Sequence, residues 1–255
     1  MKPEQVGAAL LTREIVARRN SRRALTAFTK STGSVEAASR RFEAQLEEAI
    51  LDARFDAEYA GADVAEEQTK HTLEKIGLLL LLWPSGAKPK SPEEVSKRAR
   101  IIGDGGVDEA ITRVRAKRLA ERARVALLRK MEQVAGDVKA AAASLRARVD
   151  TIATTETASA FNAGQALVAR GVARVDPFVW SLLAREWCAM LELPNVCGVC
   201  WDLDGSIAPP GQAFPSGYEP GSVHPRCRCY YLLVPATPKP TPEEALVSVA
   251  GADSL

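Results

Sequence analysis

VALLRKMEQVAGDVKAAAASLRARVDTI, residues 125–152, is the stretch whose reading decides the fold class. Apolar or small residues recur at Val125, Leu128, Met131, Ala135, Val138, Ala142, Leu145, Val149 and Ile152, three or four apart, as one face of an α-helix requires. The spacing predicts one long helix through the whole stretch. Because the stripe approaches a heptad seam, it also predicts a helix lying alongside, in a hairpin or bundle. The predicted partner is the helix-compatible segment from Val35 to about Leu82, opened by Ser34 as an N-cap and acidic through Glu43, Glu47, Glu48, Asp52, Asp56, Glu58, Asp63, Glu66 and Glu67.

Outward from this pair, Gln5 to about Lys30 is basic and weakly amphipathic. Leu78 to Trp83 ends the acidic segment in an apolar patch, either a core contact or a docking site for another protein, and Pro84-Ser85-Gly86 breaks the helix. Ser91-Pro92-Glu93-Glu94 reads as a helix start, with a capping serine, proline at the first helical position and Glu94 completing a capping box. Gly103-Asp104-Gly105-Gly106 interrupts again. Beyond Gly171, prolines at 177, 194, 209, 210, 215, 220 and 225 exclude continuous helix. There Arg185–Leu191 and Arg228–Val234 read as strands of a small sheet or hairpins, and Pro235–Pro242 as an extended linker. The expected fold class is α+β, mostly α. A helical domain spans 1–149, a small cysteine-clamped irregular α+β module spans 150–234, and a proline-rich tail spans 235–255.

The composition narrows the function classes. Hydrophobic residues make up 46% of the 255-residue chain and charged residues 26%, while aromatics reach only 5%. A formal charge of +2 is too small to imply nucleic-acid binding by the chain as a whole, so such binding needs local clusters. The N-terminal residues lack the pattern of a signal peptide. The longest apolar run, Ile76 to Trp83, is too short for a membrane span. Five cysteines without an export signal point to a reducing compartment, cytoplasmic synthesis, and metal rather than disulfides.

The most informative motif is Cys197-Gly198-Val199-Cys200, followed after a glycine- and proline-rich loop by His224-Pro225-Arg226-Cys227-Arg228-Cys229. A Cys-x-x-Cys turn sets two sulfurs on one side of a knuckle, and a distant pair can complete the tetrahedron that zinc prefers. A thin, loop-rich module also needs such a clamp, because metal-binding free energy becomes folding free energy. Cys197, Cys200, His224, Cys227 and Cys229 are thus five candidates for four positions on a structural zinc ion; the alternative is reduced cysteines packed in a small core, or an air-formed disulfide. Cys188 reads as a core residue. A catalytic zinc needs an open position and a nearby acid or base; the nearest candidates are Asp202 and Asp204, and an aspartate followed by glycine, as in Asp204-Gly205, reads as a turn. No enzymatic activity is expected.

Thr155-Glu156-Thr157 with Asn162 and Gly164, then Trp187, then Cys197-x-x-Cys200 with Leu203-Asp204-Gly205, then His224-Pro225-x-Cys227-Arg228-Cys229, resembles in order and spacing the phage head-morphogenesis family of Mu F-like minor head proteins. The resemblance covers about Asp150 to Val234. The family usually shows Arg-Thr-Glu where this chain has Thr154-Thr155-Glu156, so an ion pair made by that arginine is absent or supplied elsewhere. The resemblance implies a minor capsid protein of the virion, assembled in the host cytoplasm and associated with the portal protein at the vertex inside the head. For some members it also implies binding of packaged double-stranded DNA, and the major capsid protein is a further candidate partner.

Arg113, Arg115, Lys117, Arg118, Arg122, Arg124, Arg129 and Lys130 crowd one stretch with Glu121 as its sole acid. They are the candidate DNA-binding residues, since lysine and arginine contacts to phosphate supply most non-specific affinity. Without interleaved aromatics, base stacking is not expected. The competing reading is a solvated helix face, or one paired with the acidic helix. From other function classes, the alternatives are a zinc-containing nucleic-acid-binding protein and a metal-dependent nuclease, both unrelated to capsids, and a phage-borne toxin or ADP-ribosyltransferase fused to a head module, which needs an additional catalytic domain.

Overall fold

Two serines start helices where the sequence places them. Ser34 Oγ accepts the Ala37 N–H at 3.2 Å and Ser91 Oγ accepts the Glu94 N–H at 3.1 Å, each satisfying a backbone donor that the first helical turn leaves unpaired. The structure is a computed structural model and describes residues 2–80, 91–104, 109–191, 193, 196–209 and 212–236. In chain order its elements are α1 (Pro3–Thr29), α2 (Val35–Leu80), α3 (Pro92–Asp104), α4 (Glu109–Gln133), α5 (Val138–Val175), α6 (Pro177–Ser181), β1 (Leu183–Cys188), α7 (Gly198–Leu203), β2 (Ile207–Ala208) and β3 (Tyr230–Pro235). The mostly helical α+β class is the one expected. The break at Pro84-Ser85-Gly86, the end of the Gly103–Gly106 cluster, most of the tail and the side chains of the Leu78–Trp83 patch lie outside the described residues.

The single helix expected over 125–152 is two helices. The chain leaves α4 after Gln133, and Ala135 and Gly136 take φ of +48° and +83°. Asp137 then caps α5, its Oδ1 accepting the Lys139 and Ala140 N–H groups at 2.9 and 3.0 Å. The result is a hairpin. The two arms face one shared core, in which Ala116, Ala120, Ala123, Leu127 and Met131 of α4 and Ala141, Ala142, Leu145 and Val149 of α5 meet Phe28 of α1 and Phe42, Leu46 and Ile50 of α2, while Ala135 in the turn is exposed. On α4 the buried face is displaced from the expected stripe, leaving Val125 exposed. The acidic helix is the partner, as expected, with α2 packing against both α4 and α5.

α5 is the axis of the molecule, packed by α1, α2, α3 and α4 and carrying buried residues on several sides. Its approach to α2 is set by two glycines. A Cβ at Gly164 would lie 1.9 Å from the Glu58 carbonyl oxygen, and one at Gly61 would lie 1.9 Å from that of Phe161. The boundary drawn at 149/150 falls inside this helix, which enters the four-helix core at its start and continues past Gly171 beneath the strands.

The sheet has the order β2-β1-β3, antiparallel throughout. Register runs from Leu183 opposite Pro235 to Cys188 opposite Tyr230, and β2 pairs Ala208 with Arg185. Trp187, Phe214, Tyr231 and Leu233 form a core with Cys200, Cys227, Cys229 and Ala169 of α5. Trp187 stands edge-on to Phe214, ring centroids 5.2 Å apart. β3 is bound to α2 through Thr72 Oγ1, which donates to the Leu233 carbonyl at 2.8 Å. Among the described residues no helix is long and apolar enough to cross a membrane.

Candidate metal centre

Two short segments bring the five candidate ligands together. Cys197 caps α7, its Sγ accepting the Cys200 N–H at 3.2 Å, so the Cys-x-x-Cys turn holds both sulfurs on one side. The segment His224–Cys229 runs into β3 and supplies the rest. The ligand atoms of Cys197, Cys200 and His224 lie within 4.8 Å of one another, and so do those of Cys200, Cys227 and Cys229. Cys200 joins the two sets: its sulfur is 3.2 Å from His224 Nε2 and 3.9 Å from the Cys227 sulfur. None of the five cysteines of the chain is in a disulfide. The clustered thiols and imidazole are a donor set suited to a metal ion such as zinc.

The surroundings prepare these groups as ligands. His224 Nδ1 lies 2.7 Å from the Pro225 carbonyl. A carbonyl can only accept, so the proton sits on Nδ1 and the Nε2 lone pair faces the sulfurs, the usual second support of a metal-binding imidazole. The Cys227 thiol is held down to about 5 by a hydrogen bond from the Cys229 thiol, against its burial, with backbone N–H groups of Cys229, Val223 and Gly221 adding to the effect. Burial pushes Cys200 up to about 12, helped by Cys197 and by the charge on Cys227. Donation to Cys227 and burial push Cys229 upward as well. Cys188 is outside the cluster, in the α1–α2–α5 core, and burial pushes its thiol up to about 12.

Two residues of α5 quoted for the resemblance, Thr155 and Asn162, bond the segment that carries the second group of donors. Asn162 Nδ2 donates to the carbonyls of Cys229 and Ala158, both at 2.9 Å, and Gln165 donates to the Tyr231 carbonyl at 2.9 Å. Thr155 Oγ1 accepts the Arg226 N–H at 3.0 Å. Arg226 holds φ at +67°, and its guanidinium donates to Thr151 Oγ1 at 2.8 Å and to the Ala147 carbonyl at 3.0 Å. The loop is thereby stitched along α5. Arg228 turns the other way and donates to Glu14 of α1 at 2.7 Å, where Thr154 also donates at 3.0 Å. Glu156 is buried and paired with Arg54 at 2.6 Å and Arg115 at 2.8 Å, so arginines of α2 and α4 meet the carboxylate that follows Thr154-Thr155. Sequence reading missed Arg54, Glu14 and Gln165 because their partners lie far along the chain; Arg228 stood inside the quoted motif. Asp204 accepts the Ala189 N–H at 2.7 Å and precedes Gly205 at φ +75°, a turn as expected, while Asp202 is exposed.

The eight basic candidates all lie on α4 but divide in two. Arg113 pairs with Glu109, Arg115 with Glu156, and Arg124 with Glu36 and Glu43 of the acidic helix at 3.1 and 2.8 Å. Lys117, Arg118, Arg122, Arg129 and Lys130 are exposed. Arg122, Arg129 and Lys130 line a groove between α4 and α5, and Arg148 of α5 joins them there. No family model, curated protein or solved structure matches the chain.

Proposed function

We propose that the chain is a structural minor head protein of a tailed bacteriophage. In this reading it sits inside the capsid at the portal vertex, its C-terminal module is held by one structural zinc ion, and it contacts packaged DNA through α4. One observation carries the reading: Thr155 and Asn162 of α5 hydrogen-bond the Arg226–Cys229 segment, so motif pieces separated by some seventy positions form one bonded unit.

The test is co-expression with the portal protein of the same phage genome, followed by native mass spectrometry of the purified portal ring. Co-purification at a defined ratio supports the reading, and a bare ring rejects it. A second reading, a zinc-containing nucleic-acid-binding protein or a metal-dependent nuclease unrelated to capsids, draws on the exposed cations beside Arg122. Tight binding to short duplexes without portal association favours the first form. Cleavage of DNA on addition of magnesium or zinc favours the second.

A further inference from the structure

α4 turns Thr112, Ala116, Ala120 and Ala123 to the core. Its outer ridge passes through Ile111, Val114, Arg118 and Arg122, spaced three or four apart, and all four are exposed, Ile111 at 66% and Val114 at 51%. Beside the ridge lies an open trough of about 590 Å³, its walls including Ile111, Val114, Arg118, Leu119, Arg122 and Glu156. Single exposed apolar side chains are ordinary on a protein surface. Here three of them share one trough with two arginines, and among the described residues Arg118 and Arg122 have neither an ion pair nor a hydrogen bond. Glu156, the one acid of the lining, is buried and held by Arg54 and Arg115. The trough therefore presents positive charge around an apolar floor. We infer that it docks an amphipathic helix rich in aspartate and glutamate from a partner protein. On the reading above that partner is the portal protein; the inference rests on that reading and gives it a surface.

The occupant must cover aliphatic carbon and also bring carboxylates. A helix laid along α4 does both: apolar residues at i, i+3 or i+4 and i+7 cover Ile111, Val114 and Leu119, while flanking carboxylates meet Arg118 and Arg122 in charge-assisted hydrogen bonds. From Ile111 to Arg122 the ridge runs about 16 Å along the helix axis, the length such a set of anchors needs. Duplex DNA is the poorer occupant of this half of α4, because phosphates pair with the arginines but leave the aliphatic floor in water. The cations that suit DNA are at the other half, where Arg129, Lys130 and Arg148 share the groove between α4 and α5. Arg122 lines both spaces and marks the division.

The portal ring of the same phage genome, co-expressed with the parent chain or with variants and read by native mass spectrometry over a dilution series, tests the assignment. Each purified variant is also titrated with a short fluorescent DNA duplex. Ile111→Ser combined with Val114→Ser is expected to weaken ring binding by about tenfold or more, as loss of interface anchors does, with duplex binding unchanged. Arg118→Glu is expected to act in the same direction on the ring, by setting like charges against each other. Arg129→Glu combined with Lys130→Glu is expected to keep the ring and lose duplex affinity. The replaced side chains are exposed, so each variant should melt with the parent, and melting curves check this. Parent-like decoration of the ring by the Ile111→Ser, Val114→Ser variant overturns the inference. So does an Arg118→Glu variant that keeps the ring and loses the duplex, which gives the face to DNA. A ring left bare by the parent chain overturns the portal reading, and the inference with it.

Discussion

At the scale of single residues, the molecule depends on contacts that leave no room for substitution. Gly164 lets α5 approach α2 until a Cβ would sit 1.9 Å from the Glu58 carbonyl oxygen. The obstacle is backbone, so the helices must separate. Gly164→Ala is expected to destabilise the fold by about 1–3 kcal/mol, the usual cost of overpacking, read as a lower urea midpoint; an unchanged midpoint rejects the close crossing. Glu14 supplies a second prediction. Burial alone would raise its carboxyl, but hydrogen bonding and charge from Arg228, with Thr154 and Arg18, hold it below its usual 4.5. A depressed folded-state value means the unfolded chain binds more protons, so the pair's contribution is present above about pH 4.5 and lost as pH falls through the folded value. Asp150, held low against its burial by Arg22 and Arg18, acts in the same direction. Glu14→Gln is therefore expected to lower stability at neutral pH and to flatten its decline between about pH 5 and pH 3, measured by urea titration across that range. The five candidate ligands were legible as residues because their spacing is local. The Glu14–Arg228 pair, 214 positions apart, has no local signature.

At the scale of elements, helix starts were readable because a cap is chemistry within four residues, as Ser34 and Ser91 show. The turn between α4 and α5 was not. Met131, Ala135, Val138 and Ala142 keep helical spacing across it, and a single Gly136 followed by Asp137 resembles a tolerated interruption more than an end. What decides the matter is tertiary: both arms of the hairpin cover the same core of α1 and α2, which one straight rod cannot do. Asp137 then carries the start of α5 through two hydrogen bonds to Lys139 and Ala140. Asp137→Ala is expected to cost about 1 kcal/mol, and Asp137→Asn far less, because asparagine caps nearly as well. Equal losses in the two variants, read by chemical denaturation, would place the role of Asp137 in its charge.

At the scale of the whole molecule, four hydrophobic clusters of the described residues share one axial helix, α5, and two of them, toward its two ends, differ in what holds them. The first is the apolar bundle around Phe42, Leu46 and Leu127. The second, around Trp187, Phe214 and Tyr231, is small and holds Cys200, Cys227 and Cys229 within it. A metal ion held by those sulfurs would add its binding free energy to the folding of so small a core. The boundary at 149/150 follows the start of the resemblance at about Asp150, whereas proline and glycine accumulate only beyond Gly171; α5 runs through both positions, from Val138 to Val175, and carries residues of both clusters. Removing the metal is therefore expected to act unequally. Chelator, or Cys197→Ser with Cys200→Ser, should release amide protection across residues 183–236 while α4 and the first half of α5 keep theirs, as measured by hydrogen exchange with mass spectrometry. Thr72 of α2 and the start of α1 lose their bonds to Leu233 and Tyr230 in the process, so those helices should loosen at that end, and the melting temperature of the bundle should fall by a few degrees, on the order of 1–2 kcal/mol. Protection lost together over all of α1–α5 would make the chain one cooperative unit. Protection unchanged everywhere would reduce the sulfurs to packing.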